Sequence, residues 1–93
     1  MAYHYLGGAY HDLGKFRQAI EYYKRHLSIV KELRDRTKEG NAYGNLRRCH
    51  LSLGDFKKAI ECGEQCLEIA KKVGDKSMEG NTHGCLGTII SAQ

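Results

Sequence analysis

The 93 residues contain no proline and no tryptophan, and only two phenylalanines. Without proline, no helix has to lose an amide donor or kink around a fixed ring, so punctuation falls to the 11 glycines. No apolar run approaches the ~20 residues of a membrane span. Met1-Ala2-Tyr3-His4 opens directly into a helical pattern rather than a signal segment. A strong excess of one charge is also missing. Fifteen Lys and Arg against 11 Asp and Glu leave +4, and the two signs are interspersed, whereas a nucleic-acid binder tends to segregate a basic stripe. The four cysteines (49, 62, 66 and 85) follow no repeated spacing, which points to free thiols in a reducing compartment. No strand-like alternation and no Gly/Ser linker interrupts the chain, so one small domain is expected.

What is present is a repeat. Leu13-Gly14-Lys15-Phe16-Arg17-Gln18-Ala19-Ile20-Glu21 returns forty residues later as Leu53-Gly54-Asp55-Phe56-Lys57-Lys58-Ala59-Ile60-Glu61. Glu39-Gly40-Asn41-Ala42-Tyr43-Gly44-Asn45-Leu46 returns at the same offset as Glu79-Gly80-Asn81-Thr82-His83-Gly84-Cys85-Leu86. Superposed on itself at forty, the chain has 18 identities in 53 pairs, far beyond coincidence. Repeats of this length stack as solenoids.

Within each repeat the apolar spacing is three and four, the signature of helices. A first helix is predicted over 2–12, carrying Ala2, Leu6, Ala9, Tyr10 and Leu13. Gly14 closes it by taking the left-handed conformation. Phe16, Ala19, Ile20, Tyr23, Leu27 and Val30 mark a second helix to about Leu33. After a polar break, Asp35 or Thr37 can cap a third helix over about 37–52. Glu39 sits in its first turn, where the helix dipole favours negative charge. Ala42, Leu46, Cys49, His50 and Leu53 form its inward face. A fourth helix carries Phe56, Ala59, Ile60, Gly63, Leu67, Ala70 and Val73, and a fifth carries Leu86, Ile89 and Ile90. The fold class is all-α: an α-solenoid of antiparallel helical hairpins with about five helices. Repeat one spans 1–35, repeat two 36–75, and 76–93 is the first helix of a third, so the chain reads as a segment of a longer array. Gly7, Gly87, Ala19 and Ala59 are small where two helix axes would approach closely.

Leu6-Gly7, Tyr10, Leu13-Gly14, Phe16, Ala19-Ile20, Tyr23 and Leu27 resemble the tetratricopeptide repeat. The common period of that family is 34 residues. The forty-residue period here, with the Glu39–Leu46 and Leu53–Glu61 phrases, resembles its long-repeat branch, typified by the Pins/LGN spindle-orientation adaptors. The likeness covers essentially the whole chain. Arg47 and Arg48 depart from the family's usual Gly-Asn, and Gly7 is the first repeat's equivalent of Arg47. Gly63 stands where the first repeat has Tyr23, and His26 and Cys66 stand where the standard repeat prefers Ala.

Catalytic and metal chemistry find little support. Cys62 and Cys66 are one helical turn apart and could supply two zinc ligands, with Cys49, Cys85, His50 and His83 as further candidates. The spacing fits none of the usual zinc patterns, and Cys49, Cys66 and Cys85 fall at packing positions, where cysteine acts as a small hydrophobe. None of the five histidines is spaced with a nucleophile or carboxylate as a catalytic pair. Gly7-Gly8 lacks the Lys-Ser or Lys-Thr of a phosphate-binding loop. No enzyme activity, cofactor or metal is expected.

The resemblance implies that the first helix of each hairpin lines a concave surface. With the apolar face turned inward, the opposite face presents His4, Gly8 and His11 on the first helix. On the third it presents Asn41, Gly44, Arg48 and Leu51, and on the fifth Asn81, Gly84, Thr88 and Ser91. Asparagine amides can bond both the N–H and the C=O of an extended peptide, and Arg48 can fork onto a carboxylate. The expected function is a cytoplasmic protein–protein interaction scaffold whose groove binds an extended, acidic peptide, with no nucleic-acid or membrane partner. The alternative is a purely structural segment that propagates the superhelix. A head-to-tail homo-oligomer is a further expectation, joining the apolar end formed by Tyr3, Leu6 and Tyr10 to that formed by Leu86, Ile89 and Ile90.

Overall fold

The computed structural model describes residues 3–77 together with 79, 80, 84 and 87. Four α-helices follow one another: α1 (Tyr3–Asp12), α2 (Phe16–Glu32), α3 (Arg36–Ser52) and α4 (Phe56–Val73). Each packs on the next along the chain, which is the nearest-neighbour arrangement of a helical solenoid. The described residues contain no strand. Residues 76, 77, 79, 80, 84 and 87 are helical; the remainder of the expected fifth helix, with Leu86, Ile89 and Ile90, lies outside the described residues.

One local device closes all four helices. After α1, the Lys15 N–H donates to Tyr10 O at 2.8 Å and the Gly14 N–H to His11 O at 3.0 Å. Equivalent pairs follow α2 (Asp35 to Val30, Arg34 to Lys31), α3 (Asp55 to His50, Gly54 to Leu51) and α4 (Asp75 to Ala70, Gly74 to Lys71). This crossed pair of bonds is the Schellman closure, which needs a left-handed residue just past the helix. Gly14, Gly54 and Gly74 supply it at φ 78°, 77° and 74°, but after α2 the position is held by Arg34 at φ 56°.

The next helix begins at once. Asp35 caps α3 by accepting from the Lys38 N–H at 3.2 Å, and Asp55 caps α4 by accepting from the Lys58 N–H at 3.3 Å. Of the two predicted candidates for the α3 cap, the structure selects Asp35, one residue ahead of Arg36. Lys15 occupies the same place before α2 and makes no side-chain cap.

The core lies between α2 and α3, where Ala19, Ile20, Tyr23, Leu46 and Cys49 cluster, flanked by the partly buried Tyr10, Leu27, Tyr43 and Cys62. Ala42, Ala59 and Ala70 are fully buried, as close helix packing requires. Cys66 and Ile69 join the buried face of α4, although the simple apolar stripe omitted them. Lys31 Nζ stands 5.3 Å over the Tyr43 ring and ties α2 to α3.

The structure corrects the apolar faces at the hairpin tips. Leu13, Leu33, Leu53 and Val73, each just before the left-handed residue, remain 69%, 71%, 41% and 39% exposed. They lie past the last turn that meets a neighbouring helix, so the expected inward placement of Leu13, Leu53 and Val73 fails. At the α1 end, Tyr3 and Tyr10 stack on Tyr22, with centroids 6.1 and 5.3 Å apart. These two rings are therefore partly covered by α2 rather than left without neighbours, and the large exposed side chain of α1 is Tyr5.

Candidate functional site

α1 and α3 are the first helices of successive hairpins, and α2 lies beneath both. Between α1 and α3 opens a cavity of about 80 Å³ lined by Gly8, His11, Asp12, Tyr23, Asn45 and Arg48. Gly8, His11 and Arg48 belong to the predicted groove face. Gly44 is half-buried with open space where a Cβ would stand, Leu51 is half-buried, and Asn41 is exposed. His4 is exposed and is not among the residues that line the cavity, its ring 4.0 Å from Tyr5 and 5.1 Å from His26 of α2. Asn81, Thr88 and Ser91 lie outside the described residues.

Three lining residues escaped the sequence reading. Asp12 and Asn45 lie one helical step beside the predicted stripe, where a wheel drawn at 100° per residue places the boundary. Tyr23 reads as a core residue, and its ring is indeed buried. It reaches the cavity because residues 7 and 8 of α1 have no side chains. A Cβ on Gly7 would fall 2.7 Å from Tyr23 Cε1, and one on Gly8 would fall 3.5 Å from Tyr23 Oη. The Gly7-Gly8 pair was the available signal.

The electrostatics are mixed. Arg48 is exposed in the middle of the face. Asp12, whose side chain is 87% exposed, stands 4.0 Å from His11 Nδ1, while His11 Nε2 is buried without a hydrogen-bond partner. Tyr23 is raised above the usual tyrosine range, first by burial and next by Cys49; Arg48 opposes the shift and Asp12 adds to it. Burial holds His26 below the usual histidine value, helped by His4 and Lys38.

Arg47 is half-buried, and its Nε is buried without a partner. The thiols of Cys49 and Cys62 are free. Burial pushes Cys49 up to about 11 and also raises Cys62, which Glu61 raises further, opposite to the depression that makes a reactive thiolate or a metal ligand. Among the described residues no group of three or more His, Cys, Asp or Glu is placed to hold a metal, and no helix is long and apolar enough to cross a membrane.

A family model for the tetratricopeptide repeat matches residues 1–72. G-protein-signaling modulator 1 from Mus musculus, Rattus norvegicus and Homo sapiens is 58% identical to the chain over 33 residues. That stretch is 36% of this chain and 5% of each relative, so only a small part of those proteins is comparable. The repeat phrases, the stacked hairpins and the family match agree: the chain belongs to the tetratricopeptide repeat family, whose helical repeats mediate protein–protein interaction.

Proposed function

We propose that this chain is a non-catalytic interaction module of a cytoplasmic scaffold and that its concave face binds an extended, acidic peptide. One observation carries this reading: the cavity is walled by two successive hairpins, with α1 on one side and α3 on the other. A ligand laid across it touches both repeats at once. Arg48 gives the centre of the face its fixed positive charge, and Lys38 adds a second near His26. Asp12 lines the same cavity as Arg48, so the carboxylates of an acidic peptide pair with the exposed outer side of Arg48 and not within the cavity. The sequence boundaries at 35 and 75 fit the same reading, each falling where one hairpin ends. The relatives named as G-protein-signaling modulators are consistent with an adaptor role.

The test is an NMR or anisotropy titration with an alternating Glu–Ser peptide and a Lys–Ser counterpart. The acidic peptide is expected to bind preferentially and to weaken with salt, since exposed charges are screened over ~10 Å at 0.1 M. Arg48→Glu reverses the preference. Lys57→Glu, exposed on α4 in the other helix layer, leaves it unchanged. Indifference of the acidic peptide to Arg48→Glu would leave only the structural role, in which the hairpins propagate a superhelix.

A further inference from the structure

The cavity between α1 and α3 is more selective than a charged groove. Its floor is Tyr23, a residue of α2 that is only 6% exposed and reaches the concave face through the gap left by Gly7 and Gly8. Its hydroxyl makes no hydrogen bond among the described residues. Beside it, His11 Nε2 is buried and also unpartnered. Buried polar groups are ordinarily satisfied by protein or by water. One buried open valence, His11 Nε2, at a cavity that Tyr23 also lines marks a place where a polar ligand group can complete the bonding.

The walls say which group. Asp12 on the α1 side can only accept while ionised, and Arg48 on the α3 side can only donate; Asn45 and the Tyr23 hydroxyl do both. A carboxylate in this slot would face Asp12, and an ammonium would face Arg48, so each would meet a like charge. An amide carries a donor and an acceptor on one planar, uncharged group and meets both walls favourably. The cavity, at about 80 Å³, has room for a few water molecules or for one carboxamide on a methylene. The Tyr23 hydroxyl feels both Asp12 and Arg48, consistent with a floor placed between the two walls.

We infer that the slot formed by Gly8, His11, Asp12, Tyr23, Asn45 and Arg48 receives an amide group of the bound peptide, with Tyr23 as a binding residue supplied from the second helix layer. The inference rests on the peptide-groove reading and deepens it. The amide comes from a Gln or Asn side chain or from the peptide's own main chain, and the two sources are separable by experiment.

The probe is the alternating Glu–Ser peptide with one central Gln, titrated against the full chain. Tyr23→Phe removes the hydroxyl and keeps the ring against Gly7, so the fold is retained. Gly8→Ala places a methyl 3.5 Å from the hydroxyl, in ordinary contact, and narrows the slot without touching Tyr23. Each variant is expected to weaken binding about three- to tenfold, the net value of one hydrogen bond; Tyr23→Phe leaves the melting temperature unchanged, and Gly8→Ala leaves it unchanged or raised, since alanine is the better helix former. Replacing the central Gln by Met or by Glu gives the same loss if the side chain supplies the amide. If Met is tolerated and a central N-methylated or ester-linked residue gives the loss instead, the main chain supplies it. Loss of binding with Arg48→Glu but full affinity with both Tyr23→Phe and Gly8→Ala overturns the slot and leaves the groove standing. Full affinity with all three variants, or no perturbation of the Tyr23 and His11 resonances by excess peptide, overturns the groove and the slot together.

Discussion

Gly7 and Tyr23 are matched across α1 and α2: a methyl on residue 7 would lie within 2.8 Å of three atoms of the Tyr23 ring. Forty residues on, the small and the large residue exchange places in the sequence. Arg47 stands at the position of Gly7, and Gly63 at the position of Tyr23. Gly63 is buried and Arg47 half-buried. The bulky side chain is thus supplied by the second helix of the first hairpin and by the first helix of the second. Each departure from the repeat pattern is unexplained alone, and together they conserve one large and one absent side chain per hairpin.

Gly7→Ala is therefore expected to destabilise, although alanine is the better helix former by ~1 kcal/mol. Overpacking of a buried ring costs about 1–3 kcal/mol and outweighs that gain. Thermal unfolding followed by circular dichroism gives the loss. In a Tyr23→Leu background the same substitution should be neutral or stabilising, and a double-mutant cycle should show coupling of about 0.5–3 kcal/mol. Equal losses in both backgrounds would dissolve the match.

Arg34→Gly is expected to stabilise. Arg34 alone among the four helix-closing residues has a Cβ in the left-handed region, a conformation that costs a non-glycine residue roughly 1–2 kcal/mol. Its equivalent in the next repeat, Gly74, is already glycine. Lys15→Asp should add about 1 kcal/mol by giving α2 the cap that Asp35 and Asp55 give to α3 and α4. Both gains should appear as a raised urea midpoint with an unchanged slope.

Arg47→Met is expected to be neutral or to stabilise. It keeps an unbranched apolar stem and removes an Nε that is buried without a partner, a condition that costs about 1–3 kcal/mol. A clear fall in melting temperature would show that the guanidinium makes a compensating interaction.

Acidification should weaken the fold below about pH 6.5, the unperturbed histidine value. Burial depresses both His26 and His50. For His26, His4 and Lys38 act in the same direction. For His50, Lys58 and Lys24 add to burial, while Asp55 and Glu61 oppose it. The unfolded chain binds protons more readily at these two sites, so stability rises with pH through this window and levels off above it. Melting temperatures between pH 7.5 and 5 should fall in the native protein and fall less in a His26→Gln, His50→Leu variant. An identical slope in both would remove these two residues as the cause.

The sequence by itself determined the helices, their turns and their stacking order. Gly14 announces a left-handed closure, Asp35 or Thr37 a cap, and the three-and-four spacing the helices. Each of these depends on bonds to residues no more than five places away, so neighbours in the chain suffice. The lining of the cavity was legible in part for the same reason: Gly8, His11 and Arg48 follow from helical periodicity. Only the tertiary structure decided how deep each side chain lies. Leu53 and Val73 continue apolar stripes but end beyond their neighbours at the hairpin tips. Tyr23 belongs to the core by its spacing, yet it lines the cavity because Gly7 and Gly8 of another helix leave the way clear. A cavity walled by α1, α2 and α3 has no local code, since its shape is the space that three separately specified helices fail to fill.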